Sequence, residues 1–294
     1  MVETNIPPSN LDDKLNELQF IYKYNPKDFE FVDIIESSRH IVKEFLYKPL
    51  KIKMAVKTIR IPINRYENNE SDEKLTRLKR EISSFRQLSH HPNIVNFYGL
   101  CFNDGEAMIC MELMDMSLYD LYLVVHDKKE IFPEAILSYI AIQVLEALGF
   151  YSLASTFVGT IAYWPPERFE TLKDQQNTEA DFHYDVRSDI WSLGITLAET
   201  ALGSLPFVDE HNQPISRENN GNENIVTIQH CIMHTDTDKL IKRCFGETYS
   251  ENFVNFVKMC LEKLENRPKY NELVKTEFYK KFIGKITHED RKNF

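Results

Sequence analysis

One stretch constrains the fold more than any other. From Arg187-Ser-Asp-Ile-Trp-Ser-Leu-Gly-Ile195 on to Leu202 the chain is apolar almost all round a helical repeat. A helix without a polar face belongs in an interior. The chain has the means to build one, since its 294 residues are 43% hydrophobic and 27% charged, enough for one sizeable domain or two smaller ones. A second helix opens at Pro133-Glu134, with Pro in its first turn. Ile136, Leu137, Ile140, Ala141, Val144, Leu145 and Leu148 form its apolar stripe, and Gly149 is expected to end it. A third begins at Asp72, with Leu75, Leu78, Ile82, Phe85 and Leu88 at three- and four-residue spacing. Phe29 to Ile61 reads as strands. Within it, Met54-Ala-Val-Lys-Thr-Ile59 places Ala55 and Lys57 on one strand face, because side chains alternate. Residues 1 to about 27 are polar, carry Pro7, Pro8 and Pro26, and read as a mobile tail.

Charge and cysteine usage narrow the function. The net charge of −10 argues against a nucleic-acid surface. It is compatible with basic partner segments, although a solvated acidic surface is its ordinary meaning. Cys101, Cys110, Cys231, Cys244 and Cys260 show no paired spacing; without a signal peptide they read as reduced and buried, in the cytoplasm. No apolar run approaches the roughly 18 residues of a membrane helix. His230 and His234 stand four apart, but no Glu completes a His-Glu-x-x-His pattern and no second ligand cluster exists, so they read as a helix face and no metal is expected.

Tyr151 to Arg168 is a hydroxyl-rich loop with Ser152, Ser155 and Thr156, a Gly159-Thr160 turn and a closing Pro165-Pro166-Glu167. It resembles the second half of a protein kinase activation segment, with Pro-Pro-Glu where kinases carry Ala-Pro-Glu. Ser152 and Thr156 resemble the paired phospho-acceptors of the mitogen-activated protein kinase kinases. His91-Pro-Asn-Ile-Val-Asn-Phe-Tyr-Gly99, Met108-Ile-Cys-Met-Glu-Leu-Met-Asp-Met-Ser-Leu118, Asp189-Ile-Trp-Ser and Arg267-Pro are similar to that family as well. On these motifs the chain is identified as a member, nearest the stress-pathway type, over about Phe29 to Phe282.

The resemblance implies an α+β, bilobal protein kinase-like fold. A small β-rich N-lobe would span residues 29–113 and a large helical C-lobe 114–283, between a mobile N-terminal tail at 1–28 and a C-terminal tail at 284–294. Lys57 would hold the nucleotide α- and β-phosphates, paired with Glu81. Met111 would be the gatekeeper and Glu112 to Met114 the hinge, although these methionines serve equally well as core packing. Glu167 and Arg267 would form a structural pair. Asp189 would bond the backbone of the catalytic loop. Intact members phosphorylate Thr and Tyr in the activation loop of a downstream MAP kinase, using ATP and magnesium, and are themselves phosphorylated by upstream MAP kinase kinase kinases.

Two departures bear on activity. No glycine precedes Gly99, and Glu36-Ser-Ser-Arg-His-Ile41 occupies the phosphate-loop position, where only glycine lets the backbone approach without a Cβ. Phe150 then runs directly into Tyr151, so the His-Arg-Asp, the Asn and the Asp-Phe-Gly that should lie between are missing, a deletion at the cleft. His183-Tyr184-Asp185 does not replace them, because five residues on stands Ile190 and the triplet follows the activation segment. The expectation is no catalytic residue, weak ATP binding, no magnesium and an Asp189 without its usual partner. The chain then reads as a catalytically dead binding and phospho-acceptor module. The alternative is an active dual-specificity kinase whose catalytic segment is missing from this sequence, since the flanks match the family up to the junction; the lost glycine loop counts against it. A third reading is a poorly folded product without function.

Overall fold

The computed structural model describes residues 21–36, 41–60, 79, 82–83, 87–88, 91–150, 160–174, 185–209, 211–215 and 222–283. The chain divides into two units, Met1–Asp115 and Met116–Phe294.

The first unit is a six-stranded sheet in the order β1-β5-β6-β4-β3-β2. Its strands are β1 (Ile21–Tyr22), β2 (Phe29–Glu36), β3 (Ile41–Tyr47), β4 (Ile52–Arg60), β5 (Phe97–Asn103) and β6 (Glu106–Glu112). All pairs are antiparallel except β1 with β5, where Ile21 and Tyr22 register with Leu100 and Cys101. Part of the stretch read as a mobile tail is therefore ordered in the sheet, with Ile21 packed against buried Leu100 and Ile82. The β5–β6 hairpin turns on Asp104-Gly105, both at positive φ (48° and 74°), the backbone a tight two-residue hairpin demands. Alternation sorts the core onto two faces. Met54, Val56, Cys101, Met108 and Cys110 lie on one, Phe97, Leu100, Phe102, Ala107 and Ile109 on the other. Of the helix expected from Asp72, residues 79, 82, 83, 87 and 88 are described and helical, with Ile82 buried.

The second unit is helical. It comprises α1 (Leu118–Asp127), α2 (Glu134–Phe150), a 3-10 turn (Ile161–Tyr163), α3 (Pro166–Asp174), α4 (Arg187–Leu202), α5 (Asn222–His234), α6 (Thr237–Phe245), α7 (Glu251–Cys260), α8 (Tyr270–Leu273) and α9 (Glu277–Ile283). Polar caps set several starts: Ser117 accepts from the Asp120 N–H at 3.1 Å, and Asp236 from those of Asp238 and Lys239 at 3.0 and 3.2 Å. Helix α4 is the interior element, with Ile190, Trp191, Leu193, Ile195, Leu197 and Ala198 buried amid α2, α6 and α7. It ends at Gly203, whose φ of 83° suits a left-handed cap.

Gly149 does not end α2, which continues to Phe150. A Cβ there would lie 2.9 Å from the Tyr270 ring, so this glycine lets α8 approach. At its other end α2 is tied across the unit: both Glu134 carboxylate oxygens accept from Ser250, one from the N–H and one from the hydroxyl, each at 2.6 Å.

Candidate functional site

The residues singled out for nucleotide binding lie in the sheet unit. Lys57, half-buried on β4, stands between Val42 of β3 and Ile109 of β6. Glu81 and residues 37–40 lie outside the described residues. Met111 packs against Phe97 and the Ile82 cluster, a core contact. The Glu112 carboxylate accepts from the Asn96 N–H at 3.1 Å and its side-chain amide at 3.0 Å, while the Glu112 N–H donates to the Asn96 carbonyl at 2.9 Å. This clasp holds the end of β6. Met114, just beyond it, is 59% exposed.

The helical unit holds a dense polar anchor. Pro166 starts α3 and puts Glu167 in its first turn, where a carboxylate is favoured by the helix dipole. Arg267 meets it fork to fork: Nη1 donates to Oε1 at 2.7 Å and Nη2 to Oε2 at 3.2 Å, with the arginine side chain 0% exposed. Its remaining donors reach the Arg187 carbonyl at 3.0 Å and the Glu262 carbonyl at 2.9 Å, and the guanidinium lies 4.9 Å from the Trp191 ring centre. Arg187, in turn, clasps Asp185 (Nη2 to Oδ2, 2.6 Å) and donates to the Leu264 carbonyl at 2.6 Å. The Asp185 carboxyl is held below its ordinary range first by that hydrogen bond. Asp185 thus has a structural task at the start of α4.

Asp189 sits in the first turn of α4. Burial pushes its carboxyl up to about 6, and the Arg168 cation works against that rise. Burial likewise lowers the Arg168 guanidinium, and Asp189 and Glu167 oppose the effect. The expectation that Asp189 is left without a partner is corrected: the residue after Glu167 supplies a facing charge. Sequence reasoning also passed over Glu199. This buried residue of α4 accepts from the Tyr122 hydroxyl of α1 at 2.7 Å and from the Tyr163 hydroxyl at 2.6 Å. Burial is the first cause that raises its carboxyl to about 7. Tyr163 closes the 3-10 turn, and its carbonyl accepts from the Ser192 hydroxyl at 2.9 Å. The turn is therefore pinned twice to α4. Ser152 and Thr156, further back, lie outside the described residues. On α5 the His230 and His234 rings lie with centroids 4.4 Å apart, tilted by 48°.

The family model of the protein kinase domain matches residues 41–152 and again 150–279. The chain belongs to the protein kinase family. Its sheet unit and helical unit are the β-rich N-lobe and helical C-lobe of that α+β, bilobal fold. Its relatives are mitogen-activated protein kinase kinases. The dual specificity mitogen-activated protein kinase kinase sek-1 of Caenorhabditis elegans is 29% identical over 277 residues, 81% of this chain and 74% of the relative. The MAP kinase kinase mkk-4 of the same organism is 32% identical over 267 residues, 77% of this chain and 66% of the relative. The MAP kinase kinase PBS2 of Saccharomyces cerevisiae is 27% identical over 301 residues, 89% of this chain and 41% of the relative. The chain thus spans between 41% and 74% of these proteins' lengths.

The two matched stretches of the kinase domain meet at residues 150–152, where Phe150 runs into Tyr151. Kinases of this family use ATP with magnesium. Among the described residues no three His, Cys, Asp or Glu side chains converge as a metal site. The residues present do not fit a magnesium-bound nucleotide as the family holds it, because the Asn and Asp that would coordinate the metal are not in the sequence. No helix among the described residues is long and apolar enough to cross a membrane.

Proposed function

We propose that this kinase-like chain, as written, transfers no phosphate and serves a stress-type MAP kinase cascade as a binding and phospho-acceptor pseudokinase of the cytoplasm. One observation carries the reading: α2 runs to Phe150 and the phospho-acceptor segment begins at Tyr151. No Asp is there to accept a substrate hydroxyl proton, a role worth ~10²–10⁴-fold in rate. Glu36 and Ile41 at the phosphate-loop position add to the case. Lys57 with Glu81, and Met111 to Met114, would line what remains of a nucleotide site, holding ATP weakly and without magnesium. The partners are an upstream MAP kinase kinase kinase, acting on Ser152 and Thr156, and a downstream MAP kinase bound without being modified. The chain just after this segment is anchored: the Tyr163 turn is bonded to α4 and Glu167 is paired with Arg267.

The test incubates the chain with ATP, magnesium and stress-activated MAP kinases, followed by mass spectrometry of their Thr-x-Tyr segments. No phosphorylation beyond a Lys57→Met control is expected; phosphorylation that Lys57→Met abolishes overturns the reading. In parallel, an upstream kinase should modify Ser152 or Thr156, and a peptide map showing neither modified removes the phospho-acceptor role. The intact flanks of the junction favour a second reading, an active dual-specificity kinase whose catalytic segment is missing from this sequence. Reading the transcript across the codons for residues 145–155 separates the two.

A further inference from the structure

Helix α5 buries Ile228, Cys231 and Ile232 and packs on the 3-10 turn and on α3. On the side turned away from that packing stand His230 and His234, both exposed and four residues apart, so one lies above the other along the helix. Their ring centroids are 4.4 Å apart, with the planes tilted by 48°. No third His, Cys, Asp or Glu joins them among the described residues. The reading of the pair as a plain helix face rested on that missing ligand. Two neighbouring imidazoles need none from the chain, because water can complete the shell of an ion held at two points. A histidine pair at this spacing on one helix face is also how helical zinc sites grip their ion. The buried side of α5 fixes the backbone that carries both rings, so little has to be ordered when an ion arrives.

The surroundings favour a cation. His234 is the last residue of α5, and a positive charge there meets the negative end of the helix dipole. From Asn222 to Asp238 the chain carries no lysine or arginine, so no charge of the helix itself repels an ion. The ligand type selects which ion. Imidazole nitrogen suits zinc, nickel and copper, whereas magnesium and calcium prefer oxygen.

We propose that His230 and His234 form a two-point site for a divalent transition ion of the zinc, nickel and copper class, with water in the remaining positions. The bound ion ties the last turn of α5 together. The site is separate from the magnesium that kinases hold with their nucleotide, and it does not depend on the phospho-acceptor segment or on phosphate transfer.

The experiment is calorimetric titration of the metal-free full chain with nickel(II), zinc(II) and magnesium(II) chlorides. Nickel and zinc are expected to bind saturably, and nickel to bind at least about tenfold more weakly at about pH 5.5 than at about pH 7.5, because protons compete for the ring nitrogens. Magnesium is expected not to bind. The chain carries nine histidines, so variants decide the place. His230→Gln and His234→Gln should each weaken nickel at least about tenfold, since either leaves a single ligand. His211→Gln, in the loop before α5, should leave nickel binding unchanged. Both α5 histidines are exposed, so these variants should keep the wild-type urea midpoint without metal, which separates lost binding from lost fold. Nickel should also slow hydrogen exchange of residues 231–235. Nickel binding that both α5 variants leave unchanged, or that fails to saturate by about 1 mM, overturns the proposal. Equal binding of magnesium overturns it in favour of a carboxylate site.

Discussion

The two units are held together in different ways. The sheet unit keeps its strands and their register, but its core is two small clusters on opposite faces, and one margin exposes a run of large apolar side chains. In the helical unit the segment expected between Phe150 and Tyr151 is absent from this sequence, and the described residues build one continuous core around α4, with a buried ion pair and a buried carboxylate satisfied within it. A fold is held by packing and by satisfied buried groups, whereas chemistry is held by a few residues on its surface. The second can be lost while the first remains. In the helical unit the groups that anchor the neighbourhood of the missing segment find partners in one another.

If that contrast is right, substitutions in the helical anchor should cost far more than substitution of Lys57 in the sheet unit. Both tryptophans, Trp164 and Trp191, lie in the helical unit, so their fluorescence follows its unfolding alone. The largest effect is expected from Arg267→Ala. It strands Glu167 and two backbone carbonyls, and losing one partner of a buried pair costs about 3–5 kcal/mol. A urea titration showing less than about 1 kcal/mol would mean that the unit does not rest on this anchor.

Glu199→Gln should act in the opposite direction and only at high pH. The Glu199 carboxyl stands at about 7 in the folded chain against an ordinary 4.5, so the folded state holds its proton more tightly. Its contribution is therefore fully present below the ordinary value and is lost as pH rises from about 4.5 through 7. Asp189 has the same sign, between 3.8 and about 6. Gln mimics the protonated acid and can still bond both tyrosines. The variant should match wild type near pH 4 and exceed it at pH 8 by up to about 3 kcal/mol. Parallel stability curves for the two proteins would show that ionised Glu199 carries no such penalty.

Gly194→Ala places a Cβ 2.8 Å from Leu261 and 2.9 Å from Cys260, so α7 must shift away from α4. Overpacking of this kind costs about 1–3 kcal/mol, and a thermal melt of the variant reads it. The smallest effect is expected from Lys57→Met in the sheet unit, under about 1 kcal/mol by hydrogen exchange of β4 and β6. A larger loss there would make Lys57 a structural residue and blur the contrast between the units.

Some of this was legible in the residues alone. The burial of α4 follows from a helix with no polar face, wherever it sits. The strands from Phe29 and the α2 stripe follow from period, which is local. Glu167 and Arg267 could be named from their motifs, but what surrounds them could not: the Arg187 and Glu262 carbonyls and the Trp191 ring converge only once α3, α4 and the turn after α7 are packed. Gly149 shows a local rule giving way. A glycine after an apolar stripe reads as a stop, but here it makes room for the Tyr270 ring, and helix propensity is too weak to resist that packing. Ile21–Tyr22 looked like tail because pairing with Leu100 and Cys101 leaves no mark on local composition. Glu199 was invisible for the same reason. Its tyrosines lie 77 and 36 residues away, and only the folded chain brings two hydroxyls to one buried carboxylate. Periodicity is written along the chain and can be read there. The partner of a buried charge is set by which helices pack together, and that was decided by tertiary structure alone.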